Sequence, residues 1–348
     1  MIRELELDKA EWAASQPILL SELIKVASHG PQYFTLQRVN GSSVQHIAGG
    51  TNDWHWDCFV HRLLPAVAKI LPQATGPLYL LINSYDEPVS RLETTCDAQI
   101  LQAHANIFGW PNRVSADDAN RIPFFSPCKV RGCHKDWLYP YGEICDAENV
   151  RLARDVSWED RKDALFWRGT TTGFGSARRL ILHATKNHRV RLIRALRQAA
   201  AVRNLSVDVG FTDFLQGIPR LEELSAPYID FATWNEYKYI FDMGGNSYSR
   251  RLVNLAHLKS ALILNNPYQD LFSRTLVNGT HVLWSDPAGG DILSLYVMLL
   301  NDSKTGRRMG TSLERHMRRH FNFESLVQHM AAVLEAYAKV VRVVDDTG

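Results

Sequence analysis

The stretch Tyr237–Pro267, YKYIFDMGGNSYSRRLVNLAHLKSALILNNP, constrains the fold of this chain more than any other. Its apolar run from Tyr239 to Met243 predicts a strand, Gly244 and Gly245 a turn, the segment Tyr248 to Leu258 a helix, and Ala261 to Leu264 a second strand. That is a βαβ unit, so the two strands lie parallel in one sheet. A glycine turn that opens a helix is also an anion site, because the first N–H groups are free and the helix dipole is positive there. Small polar residues (Asn246, Ser247, Ser249) and two arginines, Arg250 and Arg251, stand at this point, a set that suits a diphosphate. An ordinary crossover with surface arginines has the same pattern, and the residues alone leave both readings open.

The rest of the second half repeats the alternation. A strand at Ala164 to Trp167 leads into the Gly/Thr loop RGTTTGFGSARR. Basic helical segments follow at Leu180 to Lys186 and His188 to Ala200, the second with Val190, Ile193 and Leu196 on one face. Strand Val207 to Phe211, the βαβ unit, strand His281 to Ser285 and helix Ile292 to Leu300 complete a parallel sheet wound with helices. A last helix, Phe323 to Val341, carries the apolar stripe Leu326, Met330, Val333, Leu334, Tyr337 and Val341, which predicts docking onto the body.

The first half is less regular. Ile18 to Ala27 reads as helix and Tyr33 to Arg38 as strand. Trp56 to Leu71 has helical apolar spacing (Phe59, Leu63, Val67, Ile70), with Pro65 a candidate kink. The run LYLLI, Leu78 to Ile82, has the pattern of a strand buried on both faces of a parallel sheet. Directly beyond it lies NSYDEP. Ligands bind outside the carboxyl ends of such strands, which places Asp86 to act as a base; capping of the next turn by Asp86 is the plainer alternative. Ile122 to Phe125 is a further strand, and SPCKVRGCHKDWLYPYGEI a loop rich in aromatics. The polar segment Asp146 to Asp163 reads as the crossing between domains.

A chain of 348 residues has room for two domains with full cores. A net charge of +2 is too near balance to argue for a nucleic acid or an anionic membrane surface as partner. No apolar run has the length of a membrane span, and MIRELELDKAEWA lacks the layout of a signal peptide, so the expectation is a soluble, unexported chain or a copy that has lost an upstream anchor. Five cysteines, an odd number, argue against a full disulfide framework and for loose thiols or one local bridge. Cys128, Cys133, His134 and Cys145 match no zinc spacing. Four Asn-x-Ser/Thr tripeptides (Asn40, Asn204, Asn278, Asn301) fit a lumenal protein. RGTTTGFG lacks both the Lys-Ser/Thr of a triphosphate loop and the spaced glycines of a dinucleotide fingerprint. With no Asp-x-Asp motif either, a bound sugar nucleotide would rely on arginine and helix dipole in place of a metal.

The blocks NSYDEP, FFSPCK…DWLYP, LFWRGTTTG, HRVRL and KYIFDMGGNSYSRRL…SALIL…PYQDLF…HVLW, in that order over residues 76 to 340, resemble glycosyltransferase family 90. The family holds capsule-associated xylosyltransferases and Rumi-like protein O-glucosyltransferases, and the likeness is strongest to its fungal capsule-associated branch. The resemblance implies two Rossmann-like domains facing across a cleft, the GT-B type of α/β fold. Residues 1–150 would be the acceptor side, 151–322 the nucleotide-sugar domain, and 323–348 the C-terminal helix and tail. It implies an inverting transfer of xylose or glucose from a UDP-sugar to a hydroxyl of a glycan or glycoprotein, with no cofactor and no obligatory metal. Asp86 matches the family's general base. Arg168 and Arg251 match its diphosphate arginines, with Gly169, Thr170, Gly245, Asn246, Ser247 and Ser249 lining the donor. Family members are commonly anchored in the secretory lumen, and this chain shows no anchor. Gly244 stands where many members have a bulky or charged residue, Arg250 doubles the arginine, and the region before residue 76 has no match. The alternative is a binder of the same fold that has lost its chemistry.

Overall fold

The structure, a computed structural model, describes residues 2–12, 16–29, 34–50, 57–72, 76–84, 88–90, 96, 116–147, 150–173 and 187–344. Its first half contains the strands β1 (Ile18–Leu19), β2 (Phe34–Asn40), β3 (Ser43–Gly49), β4 (Leu78–Asn83), β5 (Phe124–Ser126), β6 (Cys128–Val130) and β7 (Trp137–Leu138). The second half adds β8 (Lys162–Thr170), β9 (Val207–Asp213), β10 (Tyr237–Met243), β11 (Ala261–Asn265), β12 (Tyr268–Asp270), β13 (Leu283–Trp284) and β14 (Val343–Val344).

The second-half sheet has the order β9-β8-β10-β11-β13, and every neighbouring pair is parallel. Its strands are short apolar runs because both faces are covered. Alternate residues divide between two cores: Leu165, Trp167, Tyr239, Phe241 and Ile263 pack on one side, Phe166, Ile240, Leu262 and Leu264 on the other. Helices His188–Val202 and Ile292–Asn301 cover the first face, through Val190, Ile193, Leu196, Ile292 and Tyr296.

The first-half sheet, β3-β2-β4-β5-β7, is mixed. Its strand β4 runs antiparallel to β2 and parallel to β5, so the expectation of an all-parallel sheet around LYLLI fails. A continuous apolar run reports burial on both faces and carries no information about strand direction. The second core of the α/β sheet is continuous with the core of this first half. Helix Phe323–Val340 seals the junction: Tyr337 packs 5.1 Å from Phe125 and 5.7 Å from Trp137, and its hydroxyl donates to Tyr79 O at 2.8 Å.

Three further differences from the sequence reading have physical causes. The helix expected from Tyr248 is only one α turn, Leu252–Leu255, followed by a 3-10 turn, Ala256–Leu258. Asn246, Ser247 and Ser249 are residues whose side chains compete for backbone partners and favour turns over helix. Second, an unforeseen helix runs over Ser303–His320. Its buried stripe is Gly306, Met309, Gly310, Leu313 and Met317, and glycines at two of those positions hide the periodicity. A Cβ on Gly310 would lie 2.2 Å from Lys259 O, so the helix sits directly on backbone there. Third, four of the five cysteines pair, as Cys58–Cys145 and Cys96–Cys133, leaving Cys128 buried and reduced. Bridges spanning 87 and 37 residues cannot be read from local spacing.

Candidate functional site

The order β9-β8-β10-β11-β13 is that of a doubly wound sheet in which the chain steps from the first strand to one side and then returns to the other. Crossovers leaving β8 and β10 therefore diverge, the arrangement in which open α/β sheets form a ligand crevice at the carboxyl ends of the strands. Thr170, Thr171, Thr172 and Gly173 leave β8 here, and Gly244 and Gly245 leave β10. The first turn of helix His188–Val202 closes the same edge. Its N-cap Asn187 accepts from Val190 N at 3.0 Å and donates to Thr171 O at 2.7 Å. His188 and Asn265, at the end of β11, are bonded at 2.9 Å. A 15-residue helix thus brings its positive end to this edge, where the single turn at Leu252 has little dipole to offer.

Arg189, in that first turn, is buried. Its guanidinium donates to Gly244 O at 2.8 Å, Thr170 O at 2.8 Å, Thr172 Oγ1 at 3.0 Å and Met243 O at 3.2 Å. Carbonyls and a hydroxyl surround it, and no carboxylate bonds it among the described residues. Burial, then the neighbouring Arg251, pushes its pKa down to about 9, an unusual value for arginine. A buried cation of this kind gains from an arriving anion. Gly245 lies beside it: a Cβ would meet Arg189 Nη2 at 3.3 Å and Thr172 Oγ1 at 3.4 Å.

Arg251 lies beside it. Nε and Nη2 both reach Asp242 Oδ1 at 2.9 Å, and Nη1 donates to Arg168 O at 2.5 Å. The guanidinium carbons of Arg189 and Arg251 each stand 5.7 Å from the centre of the Trp167 ring. Gly169 permits this, since a Cβ on it would come within 2.5 Å of that indole. Asn246 accepts from Gln216 Nε2 at 2.8 Å, tying the glycine turn to the loop after β9.

The other expected donor residues are arranged differently. Arg168 is 4 % exposed and spends its donors inside the fold, on Pro227 O, Trp167 O, Asp208 O and, at 2.6 Å, Asp208 Oδ1. It clamps β8 to β9 and offers its backbone oxygen to Arg251. Ser247 is buried, and Ser249 lines an internal cavity of about 10 Å³ with Asp242, Tyr268 and Asp270, space for a single water. Arg250 points away and pairs with Glu143 of the first half. Asp86 and Glu87 lie outside the described residues. Their flanks are anchored: Val89 N and Ser90 N each donate at 2.9 Å to the buried carboxylate of Asp136, which also takes a bond from Ser126 Oγ. Desolvation raises the pKa of Asp136 to about 7.

Sequence reasoning passed over Arg189, Thr172, Asp242 and Gln216 as site residues. The signal present for Arg189 was its basic block HRVRL. What singles it out is burial among carbonyls, which only the assembled sheet creates.

The profile of glycosyl transferase family 90 matches residues 57–346, most of the chain. The chain belongs to that family. No curated protein matches it significantly. Among solved structures, the crystal structure of Anabaena Alr3699/HepE in complex with UDP aligns at 10 % identity and a TM-score of 0.31. That alignment covers 51 % of this chain and 50 % of the Anabaena chain.

Proposed function

We propose that this chain transfers a sugar from a UDP-sugar to a hydroxyl of a glycan or protein, with inversion at the anomeric carbon. The observation that carries the reading is the buried Arg189, bonded only to carbonyls and a hydroxyl among the described residues, beside Arg251 at the carboxyl ends of β8 and β10. The diphosphate would rest on the Gly245–Ser247 backbone and Asn246, between those two arginines, with Gly169 and Thr170 beside it. Arg168 would act through its carbonyl, which holds Arg251. Charge growing on the departing UDP would be met by fixed guanidinium groups, each contributing about 10²–10³ in rate. Asp86 would take the acceptor proton as the oxygen attacks, a contribution of about 10²–10⁴. In this reading arginine carries the charge that a divalent ion carries elsewhere, and xylose and glucose are the candidate sugars. The two disulfides favour an oxidising compartment such as the secretory lumen.

Calorimetric titration of UDP, UDP-glucose and UDP-xylose in EDTA tests the donor site. Micromolar binding of one UDP-sugar supports it and names the sugar; no binding of any would overturn it. Asp86→Asn should retain UDP binding and lose transfer to any acceptor found in a screen. Transfer at the wild-type rate by that variant would remove Asp86 as the base. A binder without chemistry is the second reading, favoured by the internal use of all the observed Arg168 bonds; it predicts donor binding with no transfer in the unaltered chain.

A further inference from the structure

Helix Ser303–His320 plays no part in the proposed donor site, yet it is the most strongly charged element among the described residues. Its 18 residues hold six cations (Lys304, Arg307, Arg308, Arg315, Arg318, Arg319) and one carboxylate, Glu314, whereas the entire chain nets only +2. All six cations are exposed, and the apolar residues of the helix all face inward. Arg307 is paired with Glu159 at 2.6 Å, and Arg318 with Glu314 at 2.8 Å. Lys304, Arg308, Arg315 and Arg319 pair with no carboxylate among the described residues. Arg308 donates to Thr305 Oγ1 at 3.0 Å, and Asp302, the N-cap, is the acid lying closest in sequence to that end.

Spacing turns these four into an array. At about 100° per residue, positions 304, 308, 315 and 319 fall within an arc of about 60°. At about 1.5 Å of rise they form a row of about 22 Å, with steps of about 6, 10 and 6 Å. Each step is close to the screening length of about 8 Å at physiological salt, so the fields of neighbours reinforce one another. The support beneath the row is rigid. Gly310 rests on the Lys259 backbone, and a Cβ on Gly306 would touch Trp158 at 3.3 Å and Tyr239 at 3.4 Å.

We propose that this face docks a linear anionic polysaccharide and holds it on the enzyme. A straight row of cations matches a chain with one carboxylate per sugar or per few sugars. A bilayer is a poorer match, since helices that lie on membranes bury apolar residues there and this helix exposes none. A basic row along a helix also suits a nucleic acid, and duplex DNA is therefore a competitor in the test. The choice of a glycan among polyanions rests on the glycosyl-transfer reading.

The test is equilibrium binding of the whole chain to polygalacturonate, with dextran as the neutral control. The unaltered protein should bind polygalacturonate, ignore dextran, and weaken steeply as salt rises. A fourfold variant, Lys304→Ser with Arg308→Ser, Arg315→Ser and Arg319→Ser, should lose about tenfold or more, as four exposed ion pairs together allow. Its UDP affinity and melting temperature should stay unchanged. A control of equal charge, Lys25→Ser with Arg131→Ser, Arg151→Ser and Arg203→Ser, should bind polygalacturonate like the unaltered protein. Equal losses in both variants would overturn the surface, as would full binding by the first. Tighter binding to phosphatidylserine vesicles or duplex DNA than to polygalacturonate would overturn the choice of partner. Polygalacturonate binding without any UDP-sugar binding would leave this surface standing and remove the donor reading.

Discussion

At the scale of single residues, Arg189 is the most informative group of the proposed donor site. A guanidinium held by four carbonyl and hydroxyl bonds, with burial and Arg251 lowering its pKa to about 9, is the group most improved by an arriving anion. Arg189→Gln should therefore weaken UDP binding at least tenfold in a calorimetric titration while the protein still melts cooperatively. Unchanged affinity would move the diphosphate elsewhere. Arg251→Ala should weaken UDP binding too, and should also lower the melting temperature, because it strands the Asp242 carboxylate, 2 % exposed, without its cation. Resemblance placed Arg251 here from its motif. It placed Arg168 here by the same logic, yet the bonds of Arg168 go to Asp208 and nearby carbonyls. A motif names a residue type at a position; which way its donors point depends on neighbours that are distant in sequence.

At the scale of elements, the long apolar strands and the helices His188–Val202, Ile292–Asn301 and Phe323–Val340 were legible, and Ser303–His320 was not. The apolar runs at β4, β8, β10 and β11 had to be buried on both faces wherever they lay, so their existence followed from local composition. Helix Ser303–His320 escaped because Gly306 and Gly310 occupy positions where an apolar side chain would announce a buried face. Both are small for a packing reason, and Gly310→Ala tests it. Forcing a methyl against Lys259 O should cost about 1–3 kcal/mol, seen as a drop of several degrees in melting temperature. A variant as stable as the original would show that the helix can shift at no cost. The turn at Gly244 is subject to the same constraint, since a Cβ there would stand 2.1 Å from Ser247 O.

For the whole molecule, one core runs from the mixed sheet to the inner face of the parallel sheet, and buried polar groups stitch the halves together. Tyr141 donates to Asp270 at 2.7 Å, and Arg250 pairs with Glu143 across the same junction. The Cys58–Cys145 bridge closes a long loop, so Cys58→Ser with Cys145→Ser should destabilise the protein by about 2–4 kcal/mol in denaturant titration. Acid should weaken it through its buried histidines, with Asp136, which holds a proton near pH 7 when folded, opposing part of the fall. Burial lowers the pKa of both His316 and His329 to about 4, and the His329 Nε2 has no hydrogen-bond partner among the described residues. Both imidazoles are neutral when folded and take a proton when unfolded below about pH 6.5, so stability is full above that pH and falls as it drops toward 4. Melting temperature should decline over this window, and His329→Gln should shallow the decline. An unaltered slope in that variant would discharge His329 from the effect.

Sequence alone determined the class of this protein. Five ordered blocks identified the family, and apolar periodicity called for a parallel sheet with a glycine turn after Met243, because both are consequences of local residue order. Tertiary structure decided the rest. Strand order made the chain diverge at the carboxyl ends of β8 and β10, folding put Arg189 among carbonyls and the Arg168 donors onto Asp208 and its neighbours, and chain closure paired cysteines 87 residues apart. Each of those outcomes depends on which distant segments meet, and desolvation and hydrogen-bond partners have no value until they do.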